Sequence, residues 1–480
     1  MQFKAFLNGR ALTVYPARIS AFPLNRVWSG RQRPLDQTAV SVFVTFDLET
    51  DSELRIEIPE PGPSAAEIRP LESDIPRRIE GNFLILRLSH PCQFTVETGG
   101  RQNALHVFVN PPFREEHGHD ELVFGPGEHD AGILVPHSGQ TIRIEEGAVV
   151  YGAVFAYRAD NVRIVGRGIL DSSRLCRGND VSQGESEFLR LIRRMNLTER
   201  DAAYMGSVVA YGCKNFVMDG VILRDSPFWT VIIRNGCRDV RLNNIKLIGQ
   251  WRYNSDGIDV CSSENTVIRN SFIRTFDDCI VARNACLDGE SGDLDGLTVE
   301  NCVLACDWGK SLEVWLGDHT GEIRNVLFRN CSLIHLSAIA MDVTTWFGSR
   351  DSRARNIRFE NITVNLGEKF YSQQIQNADG ERYLWKTDCQ PLLIVINCDR
   401  LGVNLGNQAC KRTKTFSDYS ILYENIRFSG IHCIGSGSLL PALVSSKFEQ
   451  HRICKVELTD TDVSEVRISG NVRDFSLNSK

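Results

Sequence analysis

A short unit recurs along most of this chain and limits what it can fold into more than any other feature. Each copy is a β-forming run that closes on Asn or Gly: Val162-Arg-Ile-Val-Gly166, Phe216-Val-Met-Asp-Gly220, Val240-Arg-Leu-Asn-Asn244, Thr266-Val-Ile-Arg-Asn270, Leu297-Thr-Val-Glu-Asn301, Val326-Leu-Phe-Arg-Asn330 and Ile357-Arg-Phe-Glu-Asn361. Weaker copies close on Gly430 and Asp460. From Gly220 to Asn361 the closing residues lie 24, 26, 31, 29 and 31 residues apart. A fixed period in this range marks a solenoid, whose units bury their apolar sides only by stacking on one another. The units are rich in Val, Ile and Phe and contain no amphipathic helix of useful length, so each reads as one coil of a parallel β-helix. Asn or Gly at the corner suits a turn with positive φ, and stacked Asn side chains can hydrogen-bond from coil to coil.

The first hundred residues are different. Ser41-Val-Phe-Val-Thr-Phe-Asp-Leu, Leu54-Arg-Ile-Glu-Ile and Asn82-Phe-Leu-Ile-Leu-Arg-Leu alternate with period two and are separated by turn-rich stretches such as Pro59-Glu-Pro-Gly-Pro-Ser. That pattern predicts an antiparallel sandwich. The expected layout is all-β: a small β-sandwich over 1–110, then a right-handed parallel β-helix over 111–480, with Asn110-Pro-Pro-Phe-Arg-Glu-Glu-His-Gly-His as the linker. Residues 172–205 and 362–425 break the rhythm and are expected to leave the coils as loops, as candidate walls of a substrate cleft.

Composition narrows the function classes. The net charge is −6, which argues against a nucleic-acid partner. No run of 18 apolar residues suggests a membrane span. The N-terminal stretch lacks the apolar core of a secretory signal, so the chain as given reads as cytoplasmic, or as secreted or periplasmic if a signal has been removed. The 15 cysteines are scattered through apolar runs without a CxxC pair and are expected to be buried and reduced. His117 and His119 have no third ligand at a fixed spacing, and no metal site is expected.

Chemistry concentrates in two segments, Asn254-Ser-Asp-Gly-Ile-Asp259 and Phe276-Asp-Asp-Cys-Ile280. Asp256 and Asp277 are 21 residues apart, close to one coil, so the same turn in successive coils brings them together. Crowded carboxylates cannot all ionise freely, and one tends to keep its proton. A proton-holding acid beside an ionised carboxylate is what glycoside hydrolysis requires, and it needs no cofactor. The bland alternative is a set of turn aspartates or a calcium site.

At these residues the sequence resembles glycoside hydrolase family 28, the polygalacturonase family. Asn254-Ser-Asp-Gly-Ile-Asp is similar to the family's Asn-Thr-Asp-Gly-Ile-Asp, Asp277-Asp-Cys-Ile-Val-Ala to its Asp-Asp-Cys-Ile-Ala, and Ser226-Pro-Phe-Trp to its Ser-Pro segment. The resemblance spans roughly residues 120–365. The layout of a sandwich before a β-helix is similar to family 49, the dextranase and isopullulanase family. The resemblance implies an inverting hydrolase with Asp277 as general acid and Asp256 and Asp278 activating water, acting on an oligo- or polysaccharide.

Two departures bear on the substrate. Where family 28 has Gly-His-Gly-x-Ser, this chain has Asp307-Trp-Gly-Lys-Ser311, with Trp308 in place of the histidine. Where the family grips the uronate carboxylate with Arg-Ile-Lys, this chain has Met341-Asp-Val-Thr-Thr-Trp346, with Asp342 in place of the Arg. An Asp repels a uronate but accepts hydrogen bonds from sugar hydroxyls. A neutral glycan is therefore favoured over polygalacturonate, and the resemblance to family 49 implies an α-linked one. Asn254, Asp259, Arg283, Trp308, Lys310, Glu313, Asp342 and Trp346 are the candidate substrate contacts, and Trp315 is a further candidate platform. Competing readings are a polygalacturonase-type pectin hydrolase, a β-helix lyase or transferase, and a non-catalytic glycan-binding solenoid.

Overall fold

The computed structural model describes residues 3–21, 34–58, 61–114, 118, 120–177, 185–198, 205–285, 292–316, 320–345, 351–367, 375–376, 382–383, 391–398, 420–446 and 448–478. The N-terminal residues form two five-stranded sheets. One runs in the order Arg10–Ala11, Lys4–Leu7, Ser52–Glu57, Phe83–Leu88, Arg77–Glu80, and the other in the order Tyr15–Ser20, Thr38–Asp47, Ala104–Asn110, Cys92–Thr98, Ala66–Arg69. Their alternating residues meet in one core that includes Val44, Leu54, Ile56, Leu86, Phe94 and Val107. The sandwich departs from the expected antiparallel pairing at one place: Thr38–Asp47 and Ala104–Asn110 run parallel. Alternation fixes which face a residue takes but carries no information on the direction of the partner strand.

The rest is a parallel β-helix: 28 strands pair in parallel, most with the strand three further along the chain, so each coil has three strands. One coil consists of Glu264–Arg269, Phe272–Thr275 and Ile280–Arg283. In the later coils the first two strands fuse into continuous runs, Gly321–His335, Ser352–Leu366 and Ile421–Gly435. The third residue of the recurring unit points inward and stacks in register from coil to coil: Ile164, Met218, Leu242, Ile268, Val299, Phe328, Phe359, Phe428 and Leu458. Phe328, Phe359 and Phe428 lie face to face with ring centroids 4.9 and 4.7 Å apart.

The corner asparagines adopt the expected positive φ, 52° at Asn244, 53° at Asn270, 55° at Asn301 and 52° at both Asn330 and Asn361. Asn270 donates to Asn243 at 2.9 Å and Asn361 to Asn330 at 3.3 Å. A second file, not anticipated, runs through positive-φ positions inside the fused strands, where Asn356 donates to Asn325 at 3.1 Å and Asn425 to Asn356 at 2.8 Å.

The stretch 362–425 is less of an interruption than its polarity suggests, because Leu392–Asn397 is a third strand that pairs with Ile339–Thr345 and continues the stack. Tyr371, Gln373, Gln374 and Trp385 lie outside the described residues. The stretch 172–205 does leave the coils. It carries the helix Glu187–Arg194, N-capped by Ser186, and buries Phe188, Leu191 and Ile192 against Phe155, Val209 and Ile232 on the outer side of the third strands. Among the described residues no helix is long and apolar enough to cross a membrane.

The sandwich docks on the second-strand side of the coils. Phe43 and Phe108 meet Ile222, Ile248 and Phe272 in a shared apolar patch. Around it lie buried cations: Arg274 donates to the Arg101 carbonyl at 3.0 Å, Arg101 donates to the Cys306 carbonyl at 3.0 Å, and the Lys246 ammonium donates to Asn110 and to the Asn244 carbonyl. Among the described residues the third strands take no part in that apolar patch, and the chemistry gathers on their side.

Candidate active site

Asp256, Asp277 and Asp278 sit in the turns that join second strands to third strands. These turns stack like the strands: Gly257 N donates to Asp278 O and Cys279 N to Lys310 O, each at 2.8 Å. The spacing of about one coil therefore brings the three carboxylates to one edge, as expected. All three are nearly buried, Asp256 at 3%, Asp277 at 9% and Asp278 at 8% exposure. Asp277 Oδ1 accepts from the Asp278 amide at 3.1 Å, and Asp278 Oδ1 accepts from the Lys310 amide at 2.7 Å.

Gly309 makes that last contact possible. A Cβ at this position would lie 2.5 Å from Asp278 Oδ1, 2.6 Å from its amide nitrogen and 2.7 Å from the Asp277 carbonyl carbon. Gly257 has the same part in the preceding coil, where a Cβ would come within 2.3 Å of the Cys279 carbonyl oxygen.

The outer side of the third strands continues the site. Strand register sets Asp259, Val281, Glu313 and Asp342 in one file and Cys261, Arg283, Trp315 and Thr344 in the next. Arg283 Nε donates to Asp259 at 2.8 Å and Nη2 to Asp256 at 3.4 Å. Its guanidinium lies 4.5 Å from the Trp229 ring centroid and 4.3 Å from that of Trp315. Lys310 binds Glu313 and lies 3.7 Å from both Asp278 and Asp342.

Six carboxylates thus share two cations, and their protons follow from that imbalance. Burial, reinforced by Asp278, pushes Asp277 up to about 7 against the pull of Lys310 and Arg283. Burial, with Asp259, Asp277 and Asp278, holds Asp256 well above the ordinary carboxylate range, and Arg283 opposes the rise. Burial lifts Asp259 to about 7 despite Arg283, and lifts Glu313 well above its usual value despite Lys310. For Lys310 and Arg283 burial works against the charge, but the surrounding carboxylates outweigh it and hold both firmly protonated. Groups this close titrate as a set.

The other sequence candidates take varied places. Asn254 accepts from Arg177 at 2.7 Å at the rim. Trp308 stacks on Phe276 with centroids 5.2 Å apart and meets Tyr253 edge-on, so it packs beside the aspartates and is only half-buried. Asp259 is fully buried beneath Arg283, and Trp315 is buried against the same guanidinium, so neither presents an open contact surface as the sequence suggested. Trp346, His117 and His119 lie outside the described residues.

Some features gave no signal in the sequence. Arg252, four residues before Asp256, donates to the carbonyls of Leu175 at 3.0 Å and Ser173 at 3.1 Å. Arg177 returns the contact, donating to the Tyr253 carbonyl at 2.8 Å and lying over Phe228. Residues 173–177 are thereby fastened to the turn that carries Asp256. Trp229 was visible only as the last residue of the Ser-Pro segment.

Fold and site together define a parallel β-helix with a carboxylate cluster at the turn edge of its third-strand face. Residues 183–375 match the profile of Glycosyl hydrolases family 28. The chain is 25% identical over 247 residues to an exopolygalacturonase of Cochliobolus carbonum, an alignment covering 45% of this chain and 52% of that protein. It is 33% identical over 131 residues to an exopolygalacturonase of Arabidopsis thaliana, covering 26% and 28%. The chain thus spans about half the length of the first of these relatives and about a quarter of the second. Among solved structures, Dex49A from Penicillium minioluteum superimposes with a TM-score of 0.63 at 12% identity, covering 99% of this chain and 93% of that one, which shows the fold. Part of the chain is thus similar to glycoside hydrolase family 28, and its sandwich-plus-β-helix fold is like that of Dex49A.

Proposed function

We propose that the chain hydrolyses glycosidic bonds of an oligo- or polysaccharide with inversion, and that its substrate is a neutral α-linked glycan. The observation that carries this reading is the meeting of Asp277 with Asp256 and Asp278, all nearly buried, at one edge of the stacked turns, where burial and Asp278 push Asp277 up to about 7. Asp277 protonates the leaving oxygen. Asp256 and Asp278 take the proton of the attacking water on the other side of the sugar, as inversion requires.

The preference for a neutral sugar rests on charge. Arg283 is engaged by Asp256 and Asp259, and Lys310 by Asp278, Glu313 and Asp342. A uronate would enter a site whose carboxylates already outnumber its two cations. A pectin-type reading is supported by the family 28 profile match and by the names of the relatives, which are exopolygalacturonases.

A reducing-sugar assay on dextran, pullulan, arabinan, polygalacturonate and plant oligosaccharides, run beside Asp277→Asn, separates the readings. Cleavage of one neutral glycan with a dead variant is expected. Cleavage of polygalacturonate alone transfers the assignment to pectin. No cleavage, or a variant equal to the wild type, removes the hydrolase reading.

A further inference from the structure

Arg283 occupies the position where a substrate-gripping cation is most naturally sought, yet its surroundings give it another part. Trp229, from the turn upstream, lies over its guanidinium, and Trp315, from the next coil, lies over it too. Its donors reach Asp259 on the preceding third strand and Asp256 in the catalytic turn. The side chain is buried, at 6% exposure. The groups that set its field are Asp259, Glu313, Asp256 and Cys261. Asp277, Asp278 and Lys310 complete the charged neighbourhood. A guanidinium covered by two indoles and turned toward two carboxylates has little surface left for a ligand, and its field is spent on the acids around it.

We infer that Arg283 is a positioning residue of the hydrolytic site, an internal counter-ion that favours the ionised form of Asp256 and aims it at the water, and not a contact to the substrate. The inference rests on the acid and base roles proposed above. Arg283 opposes the upward push on Asp256 and also on Asp277. Removing the positive charge raises both groups. The acidic limb of the rate profile, where Asp256 must lose its proton, moves to higher pH. The basic limb, where Asp277 must keep its own, moves the same way. A residue that grips substrate would change KM instead.

The test compares Arg283→Gln and Arg283→Lys with the wild type on whichever glycan of the panel is cut. For Arg283→Gln the whole bell is expected to move up by about one pH unit, with kcat at the wild-type optimum down about 10-fold or more and KM within about threefold. Arg283→Lys keeps the charge and is expected to hold the bell in place with unchanged KM. A 10-fold rise in KM at an unmoved bell, in either variant, overturns the inference, and so does a Gln variant with the wild-type profile. If only the Lys variant folds, its KM decides. A carboxylate titration followed by infrared difference between wild type and Asp256→Asn, repeated in the Arg283→Gln background, reads the Asp256 proton without turnover. It tests the inference even if no glycan is cut, so the two readings fail separately.

Discussion

Gly309→Ala concentrates the logic of the site in one methyl group. The added carbon would sit 2.5 Å from Asp278 Oδ1, 2.6 Å from the Asp278 amide nitrogen and 2.7 Å from the Asp277 carbonyl carbon. Ordinary contact begins near 3.4 Å, so something must move by roughly 0.7–0.9 Å, and two of the three atoms are backbone of the catalytic pair. Rotating one side chain cannot relieve it. Overpacking of this kind costs about 1–3 kcal/mol of stability. The larger effect is on rate: a shift near 1 Å in a reacting group costs about 100-fold, or about 2.7 kcal/mol of activation free energy. The bond from the Lys310 amide to Asp278, 2.7 Å in the native site, stretches with it. The assay is kcat on the cleaved glycan with melting temperature in parallel. Gly125→Ala is the control, since its nearest neighbour would be Glu145 Oε2 at 3.7 Å. A Gly309→Ala enzyme within threefold of wild-type kcat would refute the claim that the two turns are in closest contact there.

Two further outcomes test the electrostatics and the scaffold. The folded value of Asp277, about 7, lies above its ordinary 3.8, so between these the folded chain holds a proton that the unfolded chain has released, and this group's contribution to stability declines as pH rises through that window. Asp277→Asn is expected to melt at a higher temperature than wild type at pH 8 and at nearly the same temperature near pH 4; calorimetry at both pH values checks the sign. At the corner, Asn330 has φ 52°, so Asn330→Ala is expected to be less stable than Asn330→Gly by about 1 kcal/mol, read from paired denaturation curves, with equal stability counting against a backbone role for the corner.

What could be read from the sequence followed the coil period. The inward residue and the corner Asn repeat once per coil, and Asp256 and Asp277 share a turn, so counting residues places each of them. Arg283 was identifiable as a nearby cation, but its position between Trp229 and Trp315 depends on contacts across four coils that spacing does not reveal. The excursion 172–205 follows no period, and the pairing of Arg252 with it, and of its own Arg177 with Tyr253 and Asn254, leaves no trace in composition. Leu392–Asn397 went unrecognised for a local reason: Pro391-Leu-Leu-Ile-Val-Ile396 is a continuous apolar run without the alternation of the recurring unit, within a polar stretch. In the sandwich, alternation marked the strands and their buried faces but not the one parallel pair.

The seam between sandwich and coils has a consequence for how such a chain can be cut or recombined. Arg274, Arg101 and Lys246 are buried there, and their partners come from both sides of the boundary. A fragment starting at the first coil would leave Lys246 and Arg274 bare on an apolar strip formed by Ile222, Ile248 and Phe272, and a fragment ending at Asn110 would expose Phe43 and Phe108. Neither half carries a finished surface. The N-terminal sheets are therefore not a detachable accessory that could be exchanged for another module. Boundary-crossing chimaeras are expected to need matched seams, and the two parts are constrained to be inherited as one unit.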